Sequence, residues 1–157
     1  MHADDARLLR DLMTGQRLLA LGVLVDGAPY VGLTPFVPDA RGAALVVHVS
    51  SLARHTAGLT PGAAWSGLIH APDRPDLDPL QVPRVTLVGV VRPLAEGTAA
   101  HAAARAAYLA RFPDSAVTFE LGDFQLLALE LREGRVIGGF ARARDVTARE
   151  LAQALRG

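Results

Sequence analysis

The sequence predicts a mainly β domain, a small antiparallel barrel with helices at its periphery. Three observations carry this. About seven short runs rich in Val, Leu and Ile alternate with turn residues, the pattern of sandwiches and barrels. The connections are short and Asp26-Gly27 is a strong hairpin signal, so the strands pair mostly antiparallel. Closure would also remove the exposed edges of so apolar a sheet. The chain has 157 residues and makes one domain, covering 1–157. A domain of this size buries roughly 70% of the surface its unfolded chain exposes, so it needs no disulfide or metal staple.

The elements follow in order. Leu8, Leu9, Leu12 and Met13 lie at helical spacing over 3–14, and Gly15 stops that helix. Residues 17–25 read as a buried strand, Asp26-Gly27 as its turn, and about 29–37 as the return strand. Pro38 to Gly42 is a second turn. Residues 43–50 form the third strand, and 51–59 one or two helical turns. Residues 63–70 and 84–92 are the fourth and fifth strands. Between them, 71–83 holds four prolines and three aspartates, a loop long enough to suggest function or an interface. Residues 97–111 are alanine-rich and helical, halted by Phe112-Pro113-Asp114. A hairpin follows, with strands 124–131 and 135–140 and a turn at Glu133-Gly134. Thr147-Ala148-Arg149-Glu150 is a capping box opening a C-terminal helix.

Composition excludes several function classes. Sixteen basic residues balance sixteen acidic ones, and the arginines are scattered among acids. That is no nucleic-acid footprint. All the basic residues are arginine, so there is neither a Schiff-base lysine nor a Walker lysine. No run approaches the roughly 20 apolar residues of a membrane span, and the acidic start Met1-His2-Ala3-Asp4-Asp5 is unlike a secretory signal. The expectation is a soluble, cytoplasmic protein with no membrane partner. Hydrophobic residues make up 50% of the chain, which points to a buried partner surface. The five histidines show no zinc-like spacing, so no metal site is expected.

One stretch collects chemistry. Ser50, Ser51, Arg54, His55 and Thr56 stand where the third strand passes into a helical turn. Such a junction offers backbone N–H groups, and arginine can grip two phosphate oxygens at once. The same residues also suit an ordinary capped turn in solvent. His48 reads as a core or interface histidine, His70 as solvated, and Trp65 as core.

Val49-Ser50-Ser51-Leu52-Ala53-Arg54-His55-Thr56 resembles a motif of the flavin-binding split barrels related to pyridoxamine 5′-phosphate oxidase, in the branch that includes haem-utilisation proteins. Three further stretches resemble the same family. They are Gly27 to Asp39, Pro83-Arg84-Val85-Thr86-Leu87-Val88-Gly89, and Tyr108 to Asp114 with Gly122-Asp123-Phe124 and Gly138 to Ala143. The likeness spans about 7–144 in the right order.

The resemblance implies a split β-barrel that works as a homodimer, with FMN in a groove between subunits and a small-molecule substrate. It implies that Ser50, Ser51, Arg54, His55 and Thr56 lie near the FMN phosphate, and that Arg84 runs beside the flavin and tunes it. Arg142 either meets a substrate anion or is solvated. Gly32 stands where the branch often has serine, and Gly58 where it has asparagine. Haem-binding relatives use a C-terminal histidine where this chain has Arg142 and Arg144, so FMN is expected ahead of haem. The expected activity is an FMN-dependent oxidoreductase. The alternative is a split-barrel module that binds haem, flavin or nothing, without turnover.

Overall fold

A computed structural model describes residues 1–139 and 142–156. Phe140, the end of the expected last strand, lies outside the described residues, as do Ala141 and Gly157. Eight strands appear: β1 (Leu18–Val25), β2 (Ala28–Pro35), β3 (Val37–Pro38), β4 (Ala44–Ser50), β5 (Ala64–His70), β6 (Arg84–Pro93), β7 (Phe124–Ile137) and β8 (Ala143–Thr147). Three helices accompany them: α1 (Ala3–Gly15), α2 (Ala99–Arg111) and α3 (Ala148–Arg156). Tighter 3-10 turns occupy Arg54–Gly58, Pro79–Gln81 and Pro113–Glu120.

One antiparallel sheet runs β2-β1-β5-β6-β7-β4-β3, with β8 added on β7. Its first and last strands are consecutive in the chain, separated by Phe36 alone. Residues 28–38 therefore pair with β1 on one side and with β4 on the other. The sheet curls into a barrel whose two edges share one stretch of backbone.

The local chemistry explains most elements. Asp26 and Gly27 both take positive φ, 52° and 76°, as a two-residue I′ hairpin turn requires. Thr147 Oγ1 accepts from the Glu150 N–H while the Glu150 carboxylate accepts from the Thr147 N–H, so the capping box is made as expected. Alternate residues of β1, from Leu19 to Val25, point into the core with Leu45, Val47, Leu87 and Leu129. Leu9, Leu12 and Met13 of α1 and Leu151 of α3 close this core. A smaller cluster under α2 joins Tyr108 and Phe112 to Val46 and Leu126. β4 is thus covered on both faces, which is why 44–49 are all buried and read as a continuous apolar run. The Arg111 guanidinium donates to the carbonyls of Met13, Thr14 and Gln16 at the end of α1 and lies over Phe36, tying α2 to the barrel.

The expected turn at Glu133-Gly134 does not occur. β7 runs on through 124–137, paired with β6 from Leu127 to Ile137, with a bulge at Arg132 where Val88 meets Glu133 and Gly89 meets Leu131. Gly134 is there for closeness. A Cβ would lie 3.0 Å from the Thr86 carbonyl oxygen and 3.0 Å from Leu87 Cδ2. The strand that returns is β8, pairing Glu133 with Thr147 and Ile137 with Ala143. No helix among the described residues is long and apolar enough to cross a membrane.

Candidate ligand-binding site

The Ser50 junction is built by the pairing of β4 with β7, which sets Ser50 opposite Phe124 and so brings Asp123 alongside. Ser50 Oγ donates to Asp123 Oδ2 at 2.7 Å and accepts from the Leu52 N–H at 3.1 Å. The Ser51 N–H donates to the Asp123 carbonyl at 2.7 Å, and the Ala53 N–H to the Ser50 carbonyl at 3.1 Å. Thr56 Oγ1 donates to that same carbonyl at 2.6 Å. The hydroxyls of Ser50 and Thr56 and the first backbone donors of the turn therefore bond within the junction. A carboxylate stands on the hydroxyl that was expected to meet a phosphate.

Arg54 and His55 lie on the Arg54–Gly58 turn, which packs against β1 and β2. Arg54 is exposed, with its guanidinium 5.2 Å over the Tyr30 ring. The His55 ring sits on Gly32, where any Cβ would run into Nδ1. Burial holds the His55 imidazole below its usual pKa. Gly58 is buried, and a Cβ there would lie 2.6 Å from the Leu24 carbonyl oxygen. The two glycines that depart from the family pattern thus have a steric reason. One makes room for the His55 ring and the other lets the turn press onto β1.

Ser50, Ser51, Arg54, His55 and Thr56 are brought together. Arg84 and Arg142 are not brought to them. Ser50 pairs at the start of β7 and Arg84 at its end, opposite Ile137. Roughly 40 Å of extended strand lies between those points. The Arg84 guanidinium donates to the carbonyls of Val82 and Leu80, at 2.9 and 3.2 Å. Arg142 pairs with Asp5 at 3.3 Å. His70 is exposed, with Nδ1 2.7 Å from the Ala71 carbonyl oxygen, and Trp65 is buried in the core.

Sequence reasoning missed a large concavity. On the outer face of the sheet a trough of about 570 Å³ crosses β2, β1, β5 and β6 and reaches β7. Gly22 and Ser66 lie along it, with Leu24, Val31 and Val88, and Arg132 at the β7 end. Trp65 borders it too, and its Nε1 is the one buried side-chain polar atom without a hydrogen bond among the described residues. The face around the trough is apolar and uncovered. Leu24, Val31 and Leu33 are 58%, 68% and 63% exposed. The available signal was the even-numbered apolar residues of β1 and the odd-numbered ones of β2, too many for a strand with one solvated face.

No family model and no curated protein matches the chain. Solved structures do match. A haem-binding protein from Mycobacterium smegmatis superposes with a TM-score of 0.83 at 28% identity, over 98% of this chain and 62% of that one. HutZ, the haem storage protein of Vibrio cholerae, superposes at 0.73 and 22% identity, over 83% and 93%. A general stress protein 26 relative from Clostridium acetobutylicum, of the pyridoxinephosphate oxidase family, superposes at 0.63 and 14%, over 94% and 99%. The chain has the split-barrel fold, and the structures it is similar to include haem-binding proteins and a member of the pyridoxinephosphate oxidase family. The split barrel spans about three fifths of the length of the Mycobacterium protein, 62%. The likenesses at 22% and 14% identity speak for the fold alone.

Proposed function

We propose that this split barrel is a homodimeric binding module for a flat apolar ring that carries carboxylates, taking haem in preference to FMN. The observation that carries the choice is the 2.7 Å bond from Ser50 Oγ to the Asp123 carboxylate. A phosphate dianion seated on Ser50 would meet that charge at close range, and the Ser50 and Thr56 hydroxyls and the Ser51, Leu52 and Ala53 N–H groups are already bonded within the junction. Both features count against an FMN phosphate seated on Ser50.

The trough supports the ring. Its volume falls within the usual range for small-molecule sites. Apolar walls suit a macrocycle, and Arg132, which lies 4.0 Å from Glu130 and beside Glu133 at the β7 end, is, among the described residues, the trough's one cation for a carboxylate. The likeness to a haem-binding protein at 28% identity points the same way. None of the histidines borders the trough. The ring would be held by its faces and its carboxylates, which speaks for holding a ligand rather than turning one over. The apolar face around the trough supports the dimer, because a second copy would cover Leu24, Val31 and Leu33.

An FMN-dependent oxidoreductase is the second reading, favoured by the exposed Arg54 guanidinium beside His55. One experiment separates the two. Purified protein is titrated with hemin and, separately, with FMN. The first reading expects a saturable Soret band and weak flavin quenching. Tight stoichiometric FMN binding with no Soret band would overturn it.

A further inference from the structure

A separate cavity lies where β4 and β7 meet α2, and neither reading uses it. It measures about 120 Å³ and is bordered by His48, His101, Arg105, Gln125 and Glu96, with Phe119 and Phe124 among its apolar walls. His48 is only 7% exposed. Its ring stacks on Phe119 at 3.8 Å and 12°, with Phe124 tilted at 5.0 Å and Tyr108 edge-on at 5.7 Å.

The hydrogen bonds decide which nitrogen carries the proton. Thr118 Oγ1 lies 3.2 Å from His48 Nδ1, and the Thr118 hydroxyl donates to the Ser115 carbonyl at 2.8 Å. A hydroxyl has one proton to give. With that proton on Ser115, Nδ1 must be the donor to Thr118. A neutral ring then holds its lone pair on Nε2. Nε2 has no hydrogen-bond partner among the described residues and is not itself buried, so the ring, mostly buried elsewhere, keeps an open acceptor at the cavity it lines.

The charges around the cavity complete the description. Arg105 makes no ion pair among the described residues, and its guanidinium lies 5.0 Å over the Phe119 ring. His101 stands one helical turn before it on α2. Glu96 is the one acid at the rim. Burial, with His101 and Arg105 adding to it, pushes the His48 pKa down to about 4, so the ring is neutral at pH 7. The cavity has room for about four water volumes, the space of four oxygens.

We propose that this cavity binds a small tetrahedral oxyanion of the hydrogen-phosphate type, with Arg105 and His101 on its charge and His48 Nε2 accepting from its hydroxyl. Such a ligand answers each feature: the unpaired cation, the lone acceptor and the small size. The site shares no residue with the trough, so it stands or falls apart from the ring-binding reading.

The test is a titration of the whole protein with inorganic phosphate at constant ionic strength, followed by the imidazole nitrogen signals of His48 and His101. The expected result is a saturable shift of both in the millimolar range, with His48 protonated on Nδ1 throughout. Arg105→Gln should weaken binding at least tenfold, since a charge-assisted contact is lost. His101→Gln is a second variant should the first disturb α2. Sulfate has no proton to donate at neutral pH and should bind more weakly than phosphate. No saturable shift, equal binding by Arg105→Gln and His101→Gln, or His48 protonated on Nε2 would each overturn the proposal.

Discussion

Asp123→Asn removes one charge from the Ser50 junction and keeps a hydrogen-bonding side chain in place. A phosphate oxygen that took the single Ser50 proton from Asp123 would still lie about 5 Å from the nearer Asp123 oxygen, with Ser50 Oγ between the two. At an effective dielectric near 20, two unit charges at that distance repel by about 3 kcal/mol. A phosphate monoester carries roughly two charges, and salt at physiological strength screens the interaction by about half. A net of about 3 kcal/mol remains, or roughly 150-fold in affinity. The variant should therefore bind FMN about 150-fold more tightly than the parent does. Riboflavin has no phosphate and should be unaffected. The assay is quenching of flavin fluorescence, and the quantity to read is the ratio of the FMN and riboflavin dissociation constants. Hemin affinity should not change, because Asp123 does not border the trough. An FMN-to-riboflavin ratio that is the same in both proteins would refute the idea that Asp123 excludes the phosphate.

Leu24→Asp or Val31→Asp should give a monomer with an unchanged circular dichroism spectrum, because each puts a charge on the apolar outer face; light scattering checks this, and an intact dimer would mean that the copies meet elsewhere. His48 makes the fold sensitive to acid. Its folded pKa, about 4, lies below its usual 6.5, so the folded state binds fewer protons than the unfolded one. The stabilisation is complete above pH 6.5 and is lost as pH falls towards 4, up to about 3 kcal/mol. Urea midpoints measured across that window should fall less steeply in His48→Gln than in the parent. Gly58→Ala places a methyl 2.6 Å from the Leu24 carbonyl oxygen and 2.8 Å from Val23 Cβ. It should cost about 1–3 kcal/mol in a urea melt, and a neutral result would mean that the turn can lift off β1.

Short-range chemistry was legible in the sequence. The I′ turn at Asp26-Gly27 needs only two residues of suitable φ, and the capping box at Thr147 needs only four neighbours. The strands around Val47, Val85 and Leu129 announced themselves because burial selects apolar runs. Contacts that join distant segments were not legible. Glu133-Gly134 has the composition of a turn, and nothing local says that β6 lies close enough to require the glycine. The five residues of the Ser50 junction were found together. Asp123, which dominates their chemistry, comes from the far side of a strand pairing 73 residues away. Arg84 was assigned to the same ligand by resemblance, and one chain sets it at the other end of β7. The trough escaped notice because it is made of the outward side of four strands, which only the sheet order brings into a row.

A cylinder of strands with uniform ladders has no preferred place to open, and this one has. On one side of Phe36, β2 matches β1 over eight register pairs. On the other, β3 meets β4 over two, and one of its residues is Pro38, which brings no N–H. Beyond it the join rests on Asp39, whose N–H donates to the Ala44 carbonyl and whose carboxylate accepts from the Ala43 and Ala44 N–H groups. Local unfolding takes the cheapest route, so fluctuations should part the wall along this line while the rest stays folded. The amides of Val37 and Asp39 should then exchange with solvent hydrogen well before those of Leu21 and Val47, and matched protection would show the join to be as firm as the rest. Water and small solutes would thereby have a path to the aliphatic interior that requires neither the outer face nor global unfolding.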